Sequence, residues 1–281
     1  MLKKVLKDKV ALVCLIILAL IILMGIFAPF VSTYNPLEGS ITQKFKSPSF
    51  EHLLGTDYMG RDTFTRLIYG VRTTLLLSIV TMIPTILIGL AVGLFSGYFR
   101  GIVDEVLMRF CDVMMSFPSQ VMILAIIGAL GIGIKNVIIA NIAVKWMWYA
   151  RMIRGNVIRQ SDRNYILFSK AIGARTFYIF RKHIIPMIMP ELIVLITLDM
   201  GWLILSISTL SFLGLGVQAP TPEWGAMLNE GRTYLAKAPW LMLYPGMAIV
   251  IVVVVFNMLG DNIKDLIDIK DEKWRNSVEG F

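Results

Sequence analysis

Two ionisable residues stand inside long apolar runs, Lys145 in Val137–Asn156 and Asp199 in Met187–Leu215. A charge at bilayer depth is costly unless it is paired or faces water, so such residues mark ion pairs or conducted paths. Lys145 precedes Asn156 by eleven residues, and Asp199 follows Met187 by twelve. At a helical rise of 1.5 Å per residue, both stand roughly 16–18 Å from the same membrane face. The expectation is an interhelical ion pair or a wet translocation path, with Trp148 beside Lys145 on it. In the competing reading Lys145 snorkels between Trp146 and Trp148, while Asp199 bonds a neighbouring backbone or hydroxyl group.

Other reactive groups lack partners at useful spacing. His52 and His183 are the two histidines, and neither has a second His, a Cys pair or a carboxylate cluster at ligand distance. No metal site is expected. The 17 methionines are scattered and read as packing residues. Cys14 and Cys111 differ too much in depth to pair. No Gly-x-x-x-x-Gly-Lys-[Ser/Thr] loop occurs, so this chain does not handle ATP in the usual way, and the motor of any ATP-driven transport is another subunit. No Ser–His–Asp or Cys–His set lies on one side of the membrane, so an intramembrane hydrolase has no support and a non-catalytic chain is expected.

The elements that position these residues are set by hydropathy. Of 281 residues, 57% are hydrophobic, and the mean hydropathy is +0.73, far more apolar surface than a soluble fold would bury. A crossing takes about 20 apolar helical residues. Six runs qualify: Val10–Phe30, Leu75–Tyr98, Val113–Gly131, Val137–Asn156, Met187–Leu215 and Leu243–Gly260. The first is too long for a secretory signal core of about 7–15 residues and lacks a small-residue cleavage site. The expected fold is an all-α polytopic membrane protein, with one amino-terminal anchor helix followed by a five-helix core. Lys and Arg number eighteen in segments 1–9, 99–112, 151–185 and 263–281, against eight in the alternate loops. That asymmetry places both termini in the cytoplasm. The net charge of +8 therefore follows topology, and with no aromatic-interleaved basic patch, nucleic acid is excluded.

The outer segment 31–74 holds turn signals at Asn35-Pro36, Ser47-Pro48 and Gly55-Thr56-Asp57, and its Phe45, Phe50, Leu53 and Leu54 predict that it packs back on the bundle. Gly89, Gly93 and Gly97 make a smooth stripe for close helix packing. The inner segment from Arg151 to Ile185 mixes basic residues with Tyr165, Ile166, Phe168, Ile172, Phe177, Ile179 and Phe180. Gly173 divides it into two short helices and Pro186 closes it. Its apolar positions suit either the anionic lipid surface or a partner protein. The outer loop 217–241, with Pro220, Pro222, Trp224, Pro239 and Trp240, reads as an ordered cap.

Three stretches resemble one family, the permeases of the dipeptide, oligopeptide and nickel ABC importers. Gly55-Thr56-Asp57-Tyr58-Met59-Gly60-Arg61-Asp62, followed by Arg66-Leu67-Ile68-Tyr69-Gly70-Val71-Arg72, is similar to the family's extracytoplasmic Gly-Thr-Asp…Gly-Arg-Asp signature. Ser211-Phe212-Leu213-Gly214-Leu215-Gly216 with Pro220, Pro222, Trp224 and Gly225 is a second match. Phe256-Asn257-Met258-Leu259-Gly260-Asp261, with Asp265 and Asp268, is a third. Phe168-Ser169-Lys170-Ala171-Ile172-Gly173-Ala174 through His183-Ile184-Ile185-Pro186 is similar to the Glu-Ala-Ala loop that docks on the ATPase. It departs from that pattern at Leu167, where Glu is typical, and at Phe168-Ser169, where Ala-Ala is typical.

The resemblance implies a permease that binds no cofactor itself, ATP and Mg being bound by the partner ATPase. Its implied partners are a second permease, two ATP-binding-cassette subunits, an extracytoplasmic substrate-binding protein and membrane lipid. The cell membrane is the expected location. Trp146-Met147-Trp148-Tyr149-Ala150-Arg151-Met152 and Leu195-Ile196-Thr197-Leu198-Asp199-Met200-Gly201 lean towards the nickel branch, and a di- or oligopeptide importer is the alternative. A secondary transporter is the rival from another class, but no inverted repeat is visible. The expected organisation is 1–30 amino end and anchor helix, 31–74 extracytoplasmic segment, 75–262 permease core with coupling loop 151–186, and 263–281 cytoplasmic tail.

Overall fold

A computed structural model describes residues 8–279, with side chains to residue 267. Lys3, Lys4 and Lys7, and the side chains of most of the carboxyl tail, lie outside the described residues. The described chain is helical: α1 Lys9–Ile26, α2 Ala28–Val31, α3 Thr63–Phe99, α4 Gly101–Met115, α5 Ser119–Leu130, α6 Ile134–Ser161, α7 Asn164–Ala171, α8 Thr176–Ile179, α9 Ile185–Phe212, α10 Trp224–Arg232 and α11 Trp240–Glu279. The all-α polytopic reading is borne out. Helix α1 starts where the charge stops, with the Asp8 carboxylate accepting the Ala11 amide at 2.9 Å as an N-cap.

Four helical stretches are long and apolar enough to cross a membrane: Lys9–Ile26, Thr63–Phe99, Thr176–Phe212 and Trp240–Ile267. The run expected at Val113–Gly131 is instead a pair, α4 and α5, bent by 89°. Pro118 explains the break, since it lacks an amide donor and drives Phe117 out of the helical region. The run at Val137–Asn156 lies within α6, which at 28 residues is about 42 Å long but too polar to count among the apolar spans. Helix α6 also carries the chain to Ser161, so the inner interruption begins about three turns later than Arg151. Pro186 does not close that interruption. A π turn at Phe180–Ile184 joins α8 to α9, and the Ile185 amide bonds the Phe180 carbonyl five residues back. Shifting the ladder by one residue absorbs Pro186 into the first turn of α9.

The chain divides into two compact units, one of residues up to 79 with 130–137 and 197–266, the other of residues 80–129 and 138–196 with the carboxyl end. In the first, Val71, Ile204, Trp224, Met227, Ile249 and Val252 form a buried cluster. Helix α1 lies against α3, and a Cβ at Gly25 would stand 2.8 Å from Val71 Cγ1. Arg72 donates to the Gly25 and Ile26 carbonyls and so satisfies the end of α1. Of the apolar residues expected to pack the outer segment back, Phe45 does so, its ring 5.0 Å from Tyr234. Phe50 and Leu53 are exposed. In the second unit the glycine stripe faces α6: Cβ atoms at Gly89, Gly93 and Gly97 would stand 2.5 Å from Tyr149 Cβ, 2.7 Å from the Ala150 carbonyl and 2.9 Å from the Arg154 carbonyl. Close packing is the stripe's role.

Candidate functional site

The first unit carries a buried polar network at the start of α3. Asp62 caps that helix, accepting the Thr65 amide and hydroxyl, each at 2.7 Å, and pairs with His52 Nδ1 at 2.9 Å. Gly55 and Gly60 hold φ of +73° and +75°, which the tight chain reversal before the helix requires. Asp57 accepts the Met59 and Arg61 amides at 2.8 and 2.9 Å and Arg61 Nε at 2.6 Å. Arg61 Nη2 and Arg66 Nη2 both reach Glu230 Oε2 at 2.8 Å. Two cations thus face two carboxylates, with both guanidiniums almost wholly buried.

The same network joins the first family-like signature to the second. Arg66 Nη1 donates to the Pro220 carbonyl at 3.3 Å, and Trp224 Nε1 to the Leu67 carbonyl at 3.0 Å. Glu223 is fully buried. It caps α10, accepting the Gly225 and Ala226 amides at 3.0 and 2.8 Å, and takes further bonds from Ser208 Oγ at 3.2 Å and Thr74 Oγ1 at 3.4 Å. Burial pushes the Glu223 carboxyl up, opposed by the amides of Gly225 and Ala226 and the hydroxyls of Ser211 and Ser208. Burial also pushes Glu230 up, against Arg66 and Arg61. Burial pulls Arg61 down, but Asp57 and Glu230 outweigh it and hold its pKa above the usual value. Gly55, Asp57, Arg61 and Asp62, singled out by pattern, therefore build and cap the amino-terminal end of α3. Glu223 and Glu230 belong to no motif in the sequence. An acidic residue directly before Trp224-Gly225 is the N-cap signal that would have found the first.

The second unit carries the segment between α6 and α9. Helix α7 ends in a Schellman cap: Ala174 N–H bonds the Ser169 carbonyl and Gly173 N–H the Lys170 carbonyl, each at 3.0 Å, with Gly173 at φ +79°. Lys170 Nζ lies 4.4 Å over the Tyr98 ring near the end of α3. Phe180 packs edge-on against Tyr98 at 4.9 Å and Phe95 at 5.9 Å. His183 lies between Tyr165 at 5.7 Å and Tyr178 at 5.8 Å, and Ser169 Oγ donates to the Tyr165 carbonyl at 2.8 Å. Phe168 and Ile172 are 67% exposed and Phe177 74%, and clustered exposed apolar side chains of this kind mark interaction surfaces. Ala171 and Pro186 are exposed as well, and Ala174 is half-buried.

Three ion pairs join residues 39, 50 and 62 positions apart, spacings that leave no local sequence signal. Arg154 grips Asp104 through Nε and Nη2 at 2.5 and 2.6 Å, and Ser96 also donates to Asp104. Arg151 meets Asp112 at 2.5 Å, and Arg100 meets Asp162 at 2.8 Å. Lys145, Trp148 and Asp199 are half-buried or partly exposed, and both Lys145 and Asp199 have partners. Among the described residues, no three His, Cys, Asp or Glu side chains come together at ligating distance.

Such an arrangement defines a class: an all-α membrane protein whose charged residues fasten helices together. Comparison with known proteins narrows it. Residues 89–270 match the family described as the binding-protein-dependent transport system inner membrane component. Residues 1–48 match the N-terminal TM domain of oligopeptide transport permease C. The chain belongs to the family of binding-protein-dependent transport system inner-membrane components, the permeases of ABC importers, which removes the secondary-transporter alternative. It is 45% identical over 95% of its length and 92% of the relative's to the metal-staphylopine import system permease protein CntC of Staphylococcus aureus. It is 39% identical to the nickel transport system permease protein NikC of Escherichia coli over 90% of this chain and 92% of that one. It is also 39% identical to the dipeptide transport system permease protein DppC of Alkalihalophilus pseudofirmus over 95% and 88%. A solved structure titled as inward-facing conformations of the MetNI methionine ABC transporter shares the fold, with a TM-score of 0.55 at 23% identity over 71% of this chain and 95% of that one.

Proposed function

We propose that this chain and a second, non-identical permease form the translocation path of an importer for nickel or a related metal chelate. An extracytoplasmic binding protein delivers the cargo, and two ATPase subunits that bind ATP and Mg drive the cycle. The observation that carries the coupling half of this reading is the α7–α8 segment. Its apolar face of Phe168, Ile172 and Phe177 is free to receive the ATPase, while Lys170 and Phe180 fasten it to the inner end of α3. A push on that face moves α3, so closure of the ATPase dimer can rock the spans between inward and outward openings. Tyr165, Ser169, Ala171, Gly173, Ala174, His183 and Pro186 shape this coupling segment.

Six crossings with both termini in the cytoplasm are part of the same reading. The four apolar spans and the bent pair supply five, and α6 is the sixth, its polar residues facing protein or path instead of lipid. The segments 1–30, 31–74, 75–262 with loop 151–186, and 263–281 follow from that topology. Lys145, Asp199 and Trp148 are assigned to the path because an ionisable group within a span belongs there or in a pair.

Metal as cargo is supported by the metal-staphylopine and nickel permeases among the relatives, and the dipeptide relative supports peptide cargo as a second reading. With no ligating cluster among the described residues, the cargo on this reading crosses as a chelate that the binding protein has already selected. Uptake by a deletion strain and its complement tests this, using radiolabelled nickel alone, nickel with an opine-type chelator, and a labelled dipeptide. Chelator-dependent nickel uptake restored by this chain is expected. Restoration of dipeptide uptake alone would transfer the assignment to peptides.

A further inference from the structure

The charge network of the first unit leaves one carboxylate oxygen over. Glu230 Oε2 takes both Arg61 Nη2 and Arg66 Nη2, each at 2.8 Å, while its Oε1 is shut off from solvent and, among the described residues, has no hydrogen-bond partner. Thr63 Oγ1, on the first residue of α3, is in the same position, with Thr63 1% exposed. A buried polar oxygen without a partner is costly, so two of them on one cavity wall mark a binding position. Thr63 and Glu230 do line one cavity. Asp57 and Arg66 add polar walls, and Met227 and Leu241 apolar ones. Its room for the centre of a water-sized sphere is about 10 Å³, which suits a single water and nothing larger.

Charge selects among small occupants. Asp57 and Glu230 are matched by Arg61 and Arg66, so the cluster has no excess charge with which to hold a desolvated ion. A metal ion also needs a ligand set, and among the described residues no three His, Cys, Asp or Glu side chains provide one. Water satisfies both spare atoms: it donates to the Glu230 carboxylate, and it donates to or accepts from the Thr63 hydroxyl.

We infer that a resident water occupies this cavity, hydrogen-bonded to Thr63 Oγ1 and Glu230 Oε1, and bridges the start of α3 to α10. It gives Glu230 a partner on each oxygen, so that one buried carboxylate neutralises two guanidiniums and is itself fully satisfied. This goes beyond the importer reading and holds for any cargo. The test uses the chain in its assembled complex in lipid nanodiscs. A cryo-EM map of the wild type that resolves buried water should show a peak about 2.7–3.1 Å from both Thr63 Oγ1 and Glu230 Oε1. No peak there, in a map that shows other buried waters, overturns the proposal. Amide hydrogen exchange of the segment from Asp57 to Leu67 gives a second reading. Thr63→Val keeps the shape of the side chain and removes the hydroxyl. With a bridging water, exchange in Thr63→Val is about fivefold faster through the loss of one hydrogen bond, while Thr63→Ser stays within about twofold. With no water, valine removes a buried unsatisfied group and exchange is unchanged or slower, a result that also overturns the proposal. The map needs no variant and decides alone if Thr63→Val does not assemble. Replacing chloride by gluconate, or sodium by choline, at fixed ionic strength should change neither peak nor exchange. A peak or protection that follows one ion would assign the cavity to that ion and overturn the water.

Discussion

At the scale of single residues, the outer network turns on Glu230, which neutralises Arg61 and Arg66 at once. Glu230→Gln leaves two buried guanidiniums facing Asp57 alone. Removing one partner from a buried pair costs about 3 kcal/mol even when, as here, the amide carbonyl still accepts a hydrogen bond. The unfolding temperature in detergent should fall clearly; a shift within experimental error would show that the pair is solvated. Glu223 makes a prediction about pH. Burial raises its pKa above 4.5 in the folded protein, so the fold holds that proton more tightly than the unfolded chain does. The group's stabilising contribution is therefore complete below 4.5 and is lost as pH rises through the folded value. The unfolding temperature of wild type relative to Glu223→Gln should decline from pH 4.5 to 7.5, and a flat difference across that range would contradict the assignment. The sequence showed that the Gly55–Asp62 residues belong together but not what they do. Arg61 meets a carboxylate 169 positions away, and no local spacing announces such a contact, whereas Glu223 stands in a legible N-cap position.

Among elements, legibility follows the environment each helix faces. Helices α1, α3, α9 and α11 leave much of their apolar surface exposed and show as apolar runs, whereas α6 is largely buried or half-buried and keeps Asn141, Lys145, Arg151 and Arg154. Hydropathy finds such a helix but misjudges its inner end. The glycine stripe was readable because a repeat of four maps directly onto one helix face. The bend between α4 and α5 was announced by Pro118, and the π turn before α9 by nothing in composition. The proposed coupling segment yields a prediction of its own. Phe177 is 74% exposed, and an exposed side chain away from special features changes stability by no more than about 0.5 kcal/mol. Phe177→Ala should leave the unfolding temperature in place yet lower transport-coupled ATP hydrolysis several-fold, together with ATPase co-purification. Loss of stability without loss of coupling would mean that the face packs within the subunit.

For the whole molecule, transport requires that the path be wet at some stage and closed at another, and the proposed function assigns Lys145 and Asp199 to that path. Each is an ionisable residue inside a long helix, and each has a partner. If the two serve one another or one common path, neutralising either leaves the other as an uncompensated charge at depth, while reversing both restores balance. Lys145→Gln and Asp199→Asn should each reduce uptake at least about tenfold, with Lys145→Asp/Asp199→Lys recovering a measurable fraction; a double-mutant cycle on uptake and on unfolding temperature separates the pair from two independent sites. Strict additivity in both readouts would remove the pairing. Full uptake in both single variants would remove the path assignment as well, and would leave the carboxylate and the ammonium as groups satisfied within their own surroundings.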